Sequence, residues 1–277
     1  LEPGDVALVP NPGYPAYRAA TLLAGAEVQH YDLDAANGWL PDLDHLEKTD
    51  LNRVKIMWVN YPHMPTGAVA TAAVFQRLVD FGLRHNILIV NDNPYSFILN
   101  DQPISILAAA GAAETALELN SLSKSHNLAG WRVGMVAGHA EHLQAILRFK
   151  SNMDSGQFQP VQLAATRALE LPDTWYHELN KTYRERQKHA FAILETLGCT
   201  FDRAQQGMFV WAKIPTGYAD GYELSDRLLH EVYVFLTPGG IFGAAGNRYV
   251  RISLCSTTDY LLTAVGRIFN SPTLRAG

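Results

Sequence analysis

The chain has 277 residues, 48% of them hydrophobic and 18% charged, with a formal net charge of −5 at pH 7. That balance suits a globular protein with two subdomains or one large α/β unit, and it gives no electrostatic case for nucleic acid or an anionic membrane as partner. Cys199 and Cys255 form no CxxC pair and no apolar run reaches membrane-spanning length, so a cytoplasmic protein that meets small molecules or its own copies is expected.

LEPGDVALVP opens the chain without an initiator methionine and leads straight into strand-like VALV (6–9), so the sequence reads as a fragment that begins inside a domain. Further β-branched runs follow as AEVQHY (26–31), VKIMWV (54–59) and ILIV (87–90), separated by the helical patterns YPAYRAATLLAG, DLDHLEK and TAAVFQRLVDFGLRHN. This alternation predicts βα units and a mostly parallel sheet with helices on both faces. Helix 71–85 is marked by Thr71 as N-cap and by Val74, Phe75, Leu78, Val79 and Gly82 along one side. The strand-like ELNSLS then runs into Lys124.

From about 173 to 197, Trp175, Tyr176, Leu179, Tyr183, Ala190, Ile193, Leu194 and Leu197 recur at helical spacing, and Gly198 follows as the C′ residue. Such a helix is roughly 37 Å long at 1.5 Å per residue, enough to join two lobes. Beyond it GMFVWAKIP, YVFLTPGG and YVRISLC read as short strands around the helix ELSDRLLHEV. The expected division is a large domain over 1–172, an interdomain helix over 173–198 and a smaller α+β C-terminal domain over 199–277.

In open parallel sheets ligands sit at the carboxyl ends of the strands. VKIMWV runs into NYPHMPTG, ILIV into NDNPY and ELNSLS into Lys124, so the predicted sheet aims Asn60 to Gly67, Asp92, Tyr95 and Lys124 at one crevice. A lysine amine of lowered pKa is a nucleophile whose usual covalent work is an imine with a carbonyl, and that carbonyl can belong to a cofactor. Pyridoxal phosphate needs an acid facing its ring nitrogen, a donor to its phenolic oxygen, and cations or hydroxyls for its phosphate. Asp92 and Tyr95 are candidates for the first two, and Ser121, Ser123 and Arg132 for the third. PGGIFGAAG lacks the GxGxxG spacing of a dinucleotide site, and the ten histidines show no metal-ligand spacing.

Ser121-Leu-Ser-Lys124-Ser-His-Asn-Leu-Ala-Gly-Trp-Arg132-Val-Gly134 resembles the lysine signature of the class I/II aminotransferases, pyridoxal phosphate enzymes of fold type I. NPGYPAY (11–17), NYPHMPTGA (60–68), Asp92-Asn-Pro-Tyr95, GMFVW (207–211) and YVRISLC (249–255) follow in that family's order, so the resemblance spans nearly the whole chain. It implies that Lys124 bonds the cofactor and moves the substrate proton, that Asp92 pairs with the ring nitrogen and Tyr95 with the phenolic oxygen. It also implies that Ser121 and Arg132 hold the phosphate, that Tyr14 lies against the ring, and that Arg251 clamps the substrate α-carboxylate.

The implied activity is amino transfer between an L-amino acid and a 2-oxo acid by ping-pong half-reactions in a homodimer. A β-eliminating C–S lyase of the same fold and a non-catalytic fragment are the alternatives. Two departures from the family pattern stand out. Met64 occupies the position of an asparagine that bonds the phenolic oxygen; a thioether donates no hydrogen bond, so Tyr95 is expected to carry that contact, with His63 or Asn60 as substitutes, and the lysine–cofactor bond to titrate higher. The family's N-terminal segment, with part of its phosphate site, is also missing from the resemblance, which predicts weak cofactor retention.

Overall fold

The computed structural model describes residues 1–274. In chain order its first half carries β1 (Val6–Asn11), α1 (Pro15–Leu23), β2 (Glu27–Asp32), the single turn α2 (Leu43–Leu46), β3 (Val54–Val59), α3 (Ala72–His85), β4 (Leu88–Asp92), α4 (Ala112–Thr115) and β5 (Ala116–Ser121). There follow α5 (Leu122–Ser125), β6 (Gly134–Gly138), α6 (Ala140–Met153), α7 (Gln159–Leu169), α8 (Thr174–Thr196), β7 (Phe209–Lys213), α9 (Gly221–Val232), β8 (Thr237–Pro238), β9 (Tyr249–Ser253) and α10 (Thr258–Phe269).

The main sheet has the order β2-β1-β3-β4-β5-β6. Its first five strands are parallel and β6 runs antiparallel against β5, with Ser121 opposite Gly134. Parallel strands need crossovers and are covered on their faces, which is why β1 reads as an unbroken apolar run and is buried along five of its six residues. The expected α/β class with a mostly parallel sheet is therefore present. Because β1, β3, β4 and β5 point the same way, Asn11, Asn60, Asp92 and Ser121 come out at one edge.

Helix α3 shows how locally this is written. Thr71 Oγ1 accepts from Val74 N at its start, and Asn86 closes it in the left-handed region at φ 53°. Phe75, Leu78, Val79, Phe81 and Gly82 are buried, whereas Val74 is only partly so; relative to the five-residue sequence pattern, the inner stripe gives up Val74 and takes in Phe81. Helix α8 buries Asn180, whose side chain accepts from Leu99 N at 2.7 Å and donates to Phe97 O at 2.9 Å, tying the helix to the loop after β4.

The second sheet is antiparallel, in the order β7-β9-β8. Here the pattern YVFLTPGG overstates a strand, since only Thr237–Pro238 pairs. Tyr233 takes φ 56° to close α9, and Pro238 leads its two glycines into the 3-10 turn Gly239–Phe242. One hydrophobic cluster joins Leu8, Met57, Phe75, Leu78 and Ile89 within the main sheet and α3. A second joins Ile193, Leu194, Val210, Leu228, Val250 and Ile252, and reaches Met64 and Tyr95 at the edge of the main sheet. The candidate site borders this second cluster, whose Met64, Tyr95 and Phe242 line it.

Candidate active site

A cavity of about 580 Å³ opens at the carboxyl edge of the main sheet, facing β7 and β9. Lys124, Asp92, Tyr95, Ser121, Ser123, Arg132, Tyr14 and Arg251 all line it, drawn from five separate segments of the chain. Tyr17, Asn60, Met64, Phe209 and Phe242 are also in its walls.

Lys124 is delivered by α5, a single turn that begins where β5 ends. Ser121 is the pivot: its backbone is still extended, while its Oγ accepts from Ser123 N at 3.1 Å and caps the turn. The returning strand must lie close by. A Cβ on Gly134 would stand 2.7 Å from Asn120 O, so only glycine fits there. Arg132, exposed and left-handed at φ 54°, donates from Nη1 to Ala129 O at 2.8 Å, which folds the intervening loop so that both ends of the signature face the cavity.

Asp92 ends β4. Its Oδ2 accepts a 2.7 Å hydrogen bond from Tyr17 OH, and the side chain of Asn60 donates to its backbone carbonyl. Burial raises the Asp92 carboxyl above its ordinary 3.8, while the Tyr17 bond pulls it down. Tyr17 is 4% exposed and stacks on Trp58, with ring centroids 5.0 Å apart and planes at 10°. Burial first, and the Asp92 charge second, push the Tyr17 hydroxyl far above its usual range, so it stays a donor. Tyr95 is likewise held as a neutral phenol by burial and meets Phe209 edge-on at 5.9 Å. Tyr14 is more open, 47% exposed, and stands edge-on to Tyr17 at 5.6 Å.

Arg251 faces the cavity from β9. Its guanidinium carbon lies 4.0 Å from the centroid of the Phe209 ring and 4.5 Å from that of Phe242. Burial lowers its pKa to about 10. Nη1 donates to Met64 Sδ at 3.3 Å, and Nε is buried without a hydrogen-bond partner. Among the described residues no carboxylate pairs with Arg251, Lys124 or Arg132. The cavity thus presents three cationic side chains and one held carboxylate.

His63 does not stand in for the asparagine that Met64 replaces. It is 3% exposed, its Nδ1 bonds Thr66 Oγ1 at 2.8 Å, and it does not line the cavity. Asn60 does line it, but turns its amide to the backbone, with Oδ1 accepting from Met64 N at 2.7 Å. Tyr17, Phe209 and Phe242 were not singled out from the sequence. Tyr17 alone carried a signal, the three-residue spacing of the two tyrosines in NPGYPAY, which sets both at the start of α1.

No helix among the described residues is long and apolar enough to cross a membrane. The profile of the family Aminotransferase class I and II matches residues 1–268. The LL-diaminopimelate aminotransferase of Desulforudis audaxviator (strain MP104C) is 42% identical over 270 residues, 97% of this chain and 69% of that protein. That of Aquifex aeolicus (strain VF5) is 40% identical over 272 residues, 98% of this chain and 70% of that protein. Among solved structures, substrate-bound BacF from Bacillus subtilis superposes with a TM-score of 0.94 at 39% identity, covering 100% of this chain and 71% of its own. The aromatic aminotransferase from Pyrococcus horikoshii OT3 superposes with a TM-score of 0.89 at 28% identity, covering 96% and 72%. With a profile match over almost its full length and relatives near two-fifths identity, the chain belongs to the class I and II aminotransferase family.

Proposed function

We propose that this chain transfers an amino group between an L-amino acid and a 2-oxo acid with pyridoxal 5'-phosphate as cofactor. The observation that carries the reading is the shared cavity of Lys124 and Asp92, ringed by cations that no carboxylate of the described chain neutralises. The donor set fits the cofactor: an amine, a held carboxylate, a neutral phenol, and two hydroxyls with an arginine. When bound, pyridoxal phosphate supplies an aldehyde carbon for the amine and a ring that draws electrons from the substrate α-carbon.

The protein's own groups do the rest. Asp92, whose carboxyl the Tyr17 hydroxyl draws down against the lift of burial, would face the ring nitrogen and favour its protonated form. Tyr95, a neutral phenol, would donate to the phenolic oxygen. Ser121, Ser123 and Arg132 would hold the phosphate, the arginine through its planar fork, and Tyr14 would flank the ring. Arg251 holds the α-carboxylate between Phe209 and Phe242, which exclude water from the ion pair. Lys124 would be the group that carries the proton between the substrate α-carbon and the cofactor.

The names of the relatives make LL-diaminopimelate the first donor to test, with 2-oxoglutarate as acceptor, in a panel of amino acids. Stoichiometric glutamate and 2-oxo acid are expected; pyruvate and ammonia from cystathionine without amino transfer would instead assign a C–S lyase. A large unit over 1–172 and a small one over 199–277, joined by the helix of 173–198, are part of this reading: the first cluster lies wholly within the large unit, and the second binds the helix to the small one while reaching Met64, Tyr95 and Ile98. A homodimer belongs to the same proposal: α6 buries none of its residues and leaves Leu147, Phe149 and Met153 exposed, an apolar face suited to a second copy. So does a cytoplasmic setting, where Cys199 and Cys255 remain free thiols.

Two substitutions test the assigned roles. Arg251→Lys keeps the charge but loses the fork, so KM for both substrates should rise about tenfold with kcat little changed; an unaltered KM would remove Arg251 from the clamp. Tyr17→Phe deletes the bond that draws the Asp92 carboxyl down, so that pKa climbs further and less of the carboxylate is ionised on the acid side. Cofactor affinity measured against pH should then lose its acid limb at higher pH than in the parent protein. Superimposable curves would mean that Tyr17 does not act through Asp92.

A further inference from the structure

We propose that Met64 is the positioning residue for the Arg251 clamp, its sulfur serving as a neutral acceptor that fixes the guanidinium in the cavity while leaving the charge to a substrate carboxylate. This rests on the reading of Arg251 given above. The two phenyl rings set the plane of the guanidinium, but they offer nothing to its N–H groups, which need acceptors lying in that plane. Nε has none. Nη1 has Met64 Sδ at 3.3 Å, so the direction of the fork within its aromatic slot depends on that contact.

The sulfur is itself well anchored. Met64 is 4% exposed, and its backbone N–H donates to Asn60 Oδ1 at 2.7 Å. The Asn60 amide nitrogen in turn donates to the backbone carbonyl of Asp92. A single run of contacts, Asp92 to Asn60 to Met64 to Arg251, therefore spans the cavity from its carboxylate end to its guanidinium end. A carboxylate in place of the thioether would orient Arg251 equally well and cancel its charge. A thioether orients it and cancels nothing.

Three variants separate this role from mere packing. Met64→Leu keeps the volume and removes the acceptor; Met64→Gln restores a neutral acceptor; Arg251→Lys removes the fork. In Met64→Leu, KM for amino acid and oxo acid should each rise about 3- to 10-fold, the size of one hydrogen bond's net contribution, with kcat and cofactor affinity unchanged. The Kd of hexanoate, a carboxylate with no amino or oxo group, should weaken by the same factor in calorimetry. Met64→Gln should recover most of both, and Met64→Leu should add nothing in an Arg251→Lys background. Hexanoate affinity and KM within twofold of the parent in Met64→Leu, beside a raised KM in Arg251→Lys, overturn this inference alone. No change in Arg251→Lys itself overturns the clamp reading and this inference with it.

Discussion

Lys124→Ala is expected to abolish covalent attachment of pyridoxal phosphate and to lower turnover by on the order of 10⁴-fold or more, because the same amine is both the nucleophile and the proton carrier. The substitution is clean. Lys124 sits in the one-turn helix α5, makes no ion pair among the described residues, and gives way to a residue of higher helix propensity. Stability should therefore move by less than about 0.5 kcal/mol. Borohydride reduction of the cofactor-loaded protein, followed by mass spectrometry of its peptides, checks the claim. Cofactor mass should appear on the peptide containing Lys124 in the parent and on no peptide in the variant; a labelled peptide elsewhere would assign the chemistry to another lysine.

Asp92→Asn is expected to separate activity from stability. The isosteric amide still accepts from Tyr17, but it carries no charge to hold a proton on the ring nitrogen, so turnover should fall by about 10³-fold, the scale of losing one preorganised electrostatic partner. The fold should respond in the opposite sense. Burial raises the folded-state pKa of Asp92 above 3.8, so its stabilising contribution is present below that value and is lost as pH rises through the raised one. Ionising this part-buried carboxylate costs the apoprotein stability, a cost the neutral amide does not carry, so the Asn variant should melt no lower than its parent. A variant that melts well below the parent, or that turns over normally, would contradict this account of Asp92.

Much of the site was legible because glycine, proline and small hydroxyl residues punctuate it. Gly134, hard against Asn120 O, and Ser121, the cap of α5, leave few alternatives to a tight strand–turn–return around Lys124. The strand ends were legible for a similar reason: VKIMWV and ILIV are β-branched runs that stop at asparagine and aspartate. What stayed hidden depends on tertiary contact. Tyr17 gains its meaning only when β4 brings Asp92 from 75 residues away. Phe209 and Phe242 look like ordinary core aromatics until Arg251 enters between them. Strand β6 has a glycine at each end of a five-residue run, so its pairing follows from its neighbour β5 and not from propensity. In YVFLTPGG the β-branched and aromatic residues signal a strand, yet helix closure at Tyr233 and the proline and glycines beyond it decide the backbone.

Lys124 and Asp92 are rooted in the parallel ladder, whereas Arg251 belongs to the antiparallel one. The reactive machinery and the grip on the incoming molecule thus stand on different foundations. Selection can remodel the turns around β8 and β9, and so admit new amino acids, without touching the register that aims the amine at its aldehyde. A lineage built this way can diversify its diet while its chemistry stays constant.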